Sequence, residues 1–264
     1  MLPETMPVCP VRGSVIYPTM VMPIDAGRPI SIRAIDEALA RDRVLLIVSQ
    51  RDKEVETPRP SDLFEVGTAC NILKMRKNPD GSVQVLVQAF ARVRVREWLD
   101  LGDHLEARGE VLADEPGEPI LVKALVREVK DKFQALLKEG KYLAPEVAQF
   151  ILNLEDPSQL ADYVAFHMDF RLEDKQKVLE TANVAERLRA VLVLLEAELA
   201  LIETQRRIQQ QVKEEIDRNQ REYFLREQMK AIQRELHGEE GEQEVEEFRR
   251  KLEALDLPPV VRQE

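Results

Sequence analysis

Cysteine is nearly absent from this chain, tryptophan occurs once, and aromatic residues fill only 5% of the 264 positions. Two cysteines cannot staple a scaffold of this length. Cys9 and Cys70 each lie in an apolar, strand-like run and are read as buried, reduced thiols. Long hydrophobic runs are missing as well: VLLIV at 44–48 falls far short of the roughly 20 residues that span a bilayer. The N-terminal MLPETMPVCP has no basic stretch followed by an apolar one, so a soluble, cytoplasmic chain with no membrane contact is expected. Positive charge is in deficit, 38 Lys and Arg against 49 Asp and Glu, for a net charge of −11. Such a balance argues against DNA, RNA or an anionic membrane as the main partner and leaves proteins and small molecules.

The usual chemical motifs are also lacking. Gly140-Lys141 is followed by Tyr142, and the stretch from Gly117 to Lys123 lacks the second glycine that would bring backbone amides to a phosphate. Nucleotide hydrolysis is therefore not expected of these residues. No H-E-x-x-H run and no Cys/His ligand spacing occurs, and His104, His167 and His237 are scattered, which marks them as surface or helix-capping side chains. No catalytic residue and no metal ligand is assigned.

What is present divides near residue 113. Up to there the apolar period is mostly two, in VLLIVSQ (44–50), CNILKMRK (70–77), SVQVLVQAFARVRVREW (82–98) and HLEARGEVLA (104–113). Asn78-Pro79-Asp80-Gly81 supplies a hairpin turn between two of these runs. One helix interrupts, SIRAIDEALARD, with Ser31 placed to cap it. Several strands with one helix predict a small, partly closed β-barrel.

After Pro119 the period is 3.6. Leu121, Leu125, Val129, Phe133 and Leu136 form one stripe, and APEVAQFILNL and DPSQLADYVAFHM add two shorter helices, the three predicting a bundle. From about Asn183 a long helix begins with a heptad seam, Leu188, Leu192, Leu195, Leu199 and Ile202. Between Glu203 and Glu222 only Ile208, Val212 and Ile216 are aliphatic, too narrow a stripe to hold against a core. Leu225, Met229, Ile232 and Leu236 then restore the seam as a docking end, and Gly238 is expected to stop the helix.

Two long stretches resemble one family. EYFLREQMKAIQRELHG is similar to the signature that precedes the ATPase module of Lon ATP-dependent proteases. PVCPVRGSVIYPTMVMPIDAGRPISIRAIDEAL and DLFEVGTACNILKMRKNPDGSVQVLVQAFARVRV resemble the Lon N-terminal substrate-binding domain. The resemblance implies an α+β chain: a PUA-like antiparallel β-barrel over 1–116, a helical bundle over 117–182, a long coiled-coil-like helix over 183–238 and an acidic linker over 239–264. It further implies a non-catalytic region that recognises unfolded, damaged or degron-bearing proteins and positions them over a hexameric ring. In the family that ring carries ATP, magnesium and a Ser-Lys peptidase dyad outside these residues, so no cofactor is expected here. Two other readings stay open, a scaffold that sets hexamer geometry and a nucleic-acid-binding module.

Three features bear on these choices. Arg92, Arg94 and Arg96 alternate with valines and are read as a solvated outer face of a strand rather than a nucleic-acid stripe. GEEGEQEVEEF is read as a solvated linker. TMVMPI (19–24) has Pro18 and Pro23 at its borders, and proline confines pairing to a sheet edge. Its apolar side chains, Met20, Met22, Pro23 and Ile24, with Met75 from a neighbouring strand, are therefore the candidate substrate-binding residues, since flexible methionine suits varied apolar partners.

Overall fold

Alternating Val, Ile and Leu produce six strands: β1 (Met6–Val11), β2 (Val21–Ala26), β3 (Val44–Ser49), β4 (Val66–Lys77), β5 (Val83–Asp100) and β6 (Leu105–Val111). The computed structural model describes residues 2–139 and 143–254, with the backbone alone for 236–244 and 253. The Gly140-Lys141-Tyr142 run and linker residues 255–264 lie outside the described residues. The strands form one sheet in the order β2-β5-β4-β3-β1-β6, and the sheet folds back on itself because β5 also pairs with β6. Length makes this possible: β5 pairs with β2 and β4 from its start and with β6 toward its end. The architecture is α+β and barrel-like, but mixed rather than purely antiparallel. The β1–β3 pair is parallel, since α1 (Pro29–Ala40) and β2 intervene between its two strands.

The hairpin turn forms as its sequence predicts. Asn78 donates its amide to Ser82 at 2.8 Å, and Gly81 sits at φ +86°, which glycine tolerates at no steric cost. Gly67 serves differently: a Cβ there would lie 2.5 Å from the Ile47 carbonyl, so only glycine lets β4 approach β3 so closely. The cap expected of Ser31 is not made. Pro29 starts α1, Arg28 precedes it without a side-chain cap, and Ser31 is buried inside the first turn. Ile35, Ala38, Leu45, Cys70, Val85 and Val87 pack together beneath α1, and Met6, Val8, Leu46, Val93 and Leu105 form a second cluster.

Helices α2 (Pro119–Lys138), α3 (Pro145–Leu152) and α4 (Pro157–His167) each begin with proline, and Asp156 caps α4 by accepting from the Ser158 and Gln159 amides. A fourth short helix, α5 (Leu172–Glu180), is not evident from period alone; its signal is the acidic first turn, Glu173 and Asp174. The chain divides into two units, Met1–Ala200 and Leu201–Glu264. Both contain part of α6 (Val184–Glu253). In the first unit α6 buries Leu188, Val191 and Leu195; in the second, every described side chain from 203 onward is exposed. Gly238 does not end this helix. A glycine costs a helix only about 1 kcal/mol, and the Glu- and Gln-rich residues beyond it are good helix formers.

Candidate functional site

The edge expected from Pro18 and Pro23 is present: among the described residues β2 pairs with β5 and with no other strand. Its residues alternate in register, so the two faces of the strand differ. Met22 and Ile24 turn inward and, with Met75, pack half-buried against the core beneath α1. Met20 is only 4% exposed, so it belongs to the core and not to the surface. Of the side chains chosen as contacts, Met20 is thus in the core, Met22, Ile24 and Met75 are half-buried, and Pro23 is exposed. Val21, 54% exposed, and Pro23 face outward, with Leu86 opposite Pro23 on β5. Leu73 and Phe90, extra residues at bulges of β4 and β5, are exposed too. Composition alone does not single them out, because a bulge shifts the alternation by one residue.

A cleft of about 300 Å³ runs beside this edge, between β2, the end of β1 and the start of α1. Val11, Ile16, Met22 and Ile24 give it apolar walls. Arg12, Asp25 and Arg28 are its charged lining residues. Arg28 donates to the Pro10 carbonyl at 2.6 Å and to the Gln50 side chain; burial, then repulsion from Arg12, lowers its pKa. Cys9 lies at the floor, and burial pushes its thiol up to about 11, so it stays protonated and unreactive. Cys70 is likewise buried and free, its thiol raised by burial.

Two positions of the arginine row are resolved differently. Arg96 is exposed and pairs with Glu110 across the sheet. Arg92, expected in solvent, is 3% exposed and grips Asp162 of α4 with one nitrogen 2.5 and 2.6 Å from its two oxygens. Arg187 of α6 donates to Asp114 at 2.7 Å and to the Ser158 hydroxyl at 2.7 Å, while Arg92 also lies 3.3 Å from Asp114. Two arginines and two aspartates thus join β5, the β6–α2 connection, α4 and the first turns of α6. A strand period could not reveal this, since the covering helices come 70 residues later in the chain. Burial pushes the Asp162 carboxyl up to about 6 against the lowering pull of Arg92 and Arg187. Burial also works upward on Asp114, but the hydrogen bonds from Arg187 and Ser158 outweigh it and hold that carboxyl low.

The histidines divide as well. His104 is buried between Asp103, at 2.6 Å, and Glu106, at 3.3 Å, and is not a surface residue. The half-buried His167 packs against Tyr163 and Phe166 in the last turn of α4; burial, then Lys175, lowers its pKa. The His237 side chain lies outside the described residues, as does that of Leu236. Among the described residues no group of three or more His, Cys, Asp or Glu is placed to hold a metal ion, and no helix is long and apolar enough to cross a membrane.

In the second unit Leu225, Met229 and Ile232 are exposed, as are Ile208, Val212 and Ile216. With 3.6 residues per turn, the two sets point roughly 130° apart around the helix.

A family model described as the ATP-dependent protease La (LON) substrate-binding domain matches residues 5–197. The chain is 38% identical over 254 residues to Lon protease of Brevibacillus choshinensis, covering 96% of this chain and 33% of that protein. It is 40% identical over 253 residues to Lon protease of Escherichia coli (strain K12), covering 96% and 32% respectively. The chain therefore spans about a third of the length of the curated relatives it matches. Among solved structures it is similar to the N-terminal domain of Mycobacterium avium complex Lon protease, with a TM-score of 0.61 and 27% identity, over 73% of this chain and 98% of that one.

Proposed function

The chain belongs to the LON substrate-binding domain family, and from that premise we propose that it is the non-catalytic N-terminal region of a Lon-type ATP-dependent protease, which captures unfolded, damaged or degron-bearing proteins. The observation that carries this reading is the uncovered outer side of β2, where Val21 and Pro23 face outward beside Leu86 at a free sheet edge. The third outward residue of the strand, Asp25, is charged, so the exposed apolar surface is confined to one end of this edge. The division of labour follows the elements: 1–116 captures, 117–182 supports, and the long helix from 183 carries the captured chain toward a hexameric ATPase and protease ring. Leu225, Met229, Ile232 and Leu236 dock that helix, and 239–264 leads onward, its first part within α6. ATP, magnesium and the Ser-Lys dyad belong to polypeptide outside this segment, whose sequence has no phosphate cradle.

Capture is weak by this reading, with Kd of order micromolar to millimolar, because a disordered partner loses conformational entropy and a small apolar patch returns only about 25 cal/mol per Å². Apolar burial is not screened, so binding persists in salt. The test is a titration of the isotopically labelled chain with one protein in native and in denatured form, repeated with Val21→Glu and Leu86→Glu. Binding of the denatured form alone, weakened by both substitutions, supports the proposal; equal affinity for both forms contradicts it.

Exposed Ile208, Val212 and Ile216 favour a second reading, a scaffold that sets assembly geometry. Self-association in sedimentation that Val212→Glu abolishes would move the weight to it. Nucleic-acid binding fares worse, since the arginine that would anchor the row, Arg92, is committed to buried carboxylates.

A further inference from the structure

The backbone of β2 can be followed residue by residue. Ala89 donates its amide to the Met20 carbonyl at 2.9 Å and accepts the Thr19 amide at 2.9 Å, so its polar groups point toward β2. By the alternation of an antiparallel ladder, Val87, Val85 and Val83 point the same way and meet Met22, Ile24 and Ala26. Val21, Pro23 and Asp25 therefore turn their backbone groups to the opposite side, where no strand of the described residues lies. That edge offers the amides of Val21 and Asp25 and the carbonyls of all three residues, with one gap where proline has no N–H. Across the cleft β1 offers no such edge at Pro10, which lacks an amide and whose carbonyl is taken by Arg28.

We infer that the free edge of β2 takes an extended polypeptide segment as an added antiparallel strand, with alternate apolar side chains in the cleft. This rests on the proposed capture of unfolded chains and specifies how they are held. An extended backbone is the ligand whose own amides and carbonyls recur at the two-residue spacing, about 7 Å, of the exposed groups on β2. Charge does not choose its end: Arg12, Asp25 and Arg28 all line the cleft, Arg12 pairs with Glu56, and Arg28 donates to Pro10 and Gln50. Strand directions agree, because β1 and β2 run oppositely through the sheet, and a segment antiparallel to β2 passes parallel to β1. Recognition through the backbone tolerates many sequences, and Pro23 sets the register by withholding one donor.

The experiment uses the full chain and an eight-residue peptide of alternating valine and threonine. Two further peptides carry N-methyl groups on alternate residues, one on the odd set and one on the even. The expected result is that one methylated set loses binding about tenfold, as for one or two lost hydrogen bonds, while the other keeps it. Val21→Pro, which removes an edge amide but no bond to β5, should lose a similar factor, and Val21→Thr, which keeps the amide, should not. Circular dichroism checks that both variants fold, and if Val21→Pro does not, the methylated peptides on the unaltered chain decide. Equal binding of both methylated peptides overturns the added strand while leaving capture of denatured protein intact. Failure of the unmethylated peptide and of denatured protein together removes both readings. A dimer of the chain that Val21→Pro disrupts, without peptide binding, assigns the edge to a second copy and overturns the proposal.

Discussion

Residues 184–200 and 203–235 of α6 are one kind of secondary structure with two kinds of support. Both stretches are helical and free of Gly and Pro. The first buries Leu188, Val191 and Leu195 and places a fully buried Arg187 in a cluster of charges. The second exposes every described side chain, its charges joined in pairs such as Lys230 with Glu227. In the first, helix formation is a consequence of packing; in the second, intrinsic propensity and local pairs alone hold the backbone. A continuous helix can therefore contain a cooperative part and a locally melting part.

The largest effect that could break this comparison is in the charge cluster. Arg187→Ala leaves Asp162 and Asp114 facing only Arg92 and should cost about 3–5 kcal/mol in urea unfolding, as for a broken buried pair. Arg218→Ala in the exposed part should fall within about 0.5 kcal/mol of the parent. Next comes apolar packing: Leu195→Ala should cost about 2–5 kcal/mol, whereas Ile216→Ala should leave the main unfolding transition unmoved. Equal losses at the two sites would mean that the second stretch is also part of a folded body.

A pH series sharpens the first result. Burial raises Asp162 above its unfolded value of 3.8 to about 6, so its folded form holds the proton more tightly. Its contribution to stability is therefore present at low pH and lost as pH rises through about 4 to about 6. Asp114, held low, contributes in the opposite sense, its stabilisation lost as pH falls. Asp162→Asn should remove the first slope and leave the second, so the difference between parent and variant stability should change over that window and be flat above it. The smallest effect is at Gln211→Gly, which should lower helical ellipticity locally, costing about 1 kcal/mol there, with no shift in core unfolding. Limited proteolysis should also cut first between Arg206 and Arg226, before any site in 82–98.

Much of the β region is legible because its signals are local. The 78–81 turn needs only Pro, Asp and Gly in order, and the edge strand needs only proline where an amide would otherwise face a partner. The candidate contacts are less legible. A period of two separates two faces of a strand but does not say which is inside; Met22, Ile24 and Met75 pack inward against the cluster that includes Ile35 and Ala38 of α1, and Met20 is buried. Arg92 departs from the solvated row for the same reason, since α4 and α6 cover the face it shares with Arg96 at only one end. Gly238 misleads because a stop signal has force only where weak helix formers follow it, and here strong ones do.

By itself the sequence determined the family, the β-then-α order and the change from a buried to a solvated helix, since these depend on composition and on periods within a few residues. Only the tertiary structure decided that the β1–β3 pair is parallel, that Val21 and Pro23 rather than the methionines face outward, and that Arg92 and Arg187 share two aspartates. Each of those depends on which distant element covers a face, and burial is a property of pairs of segments that no local pattern contains.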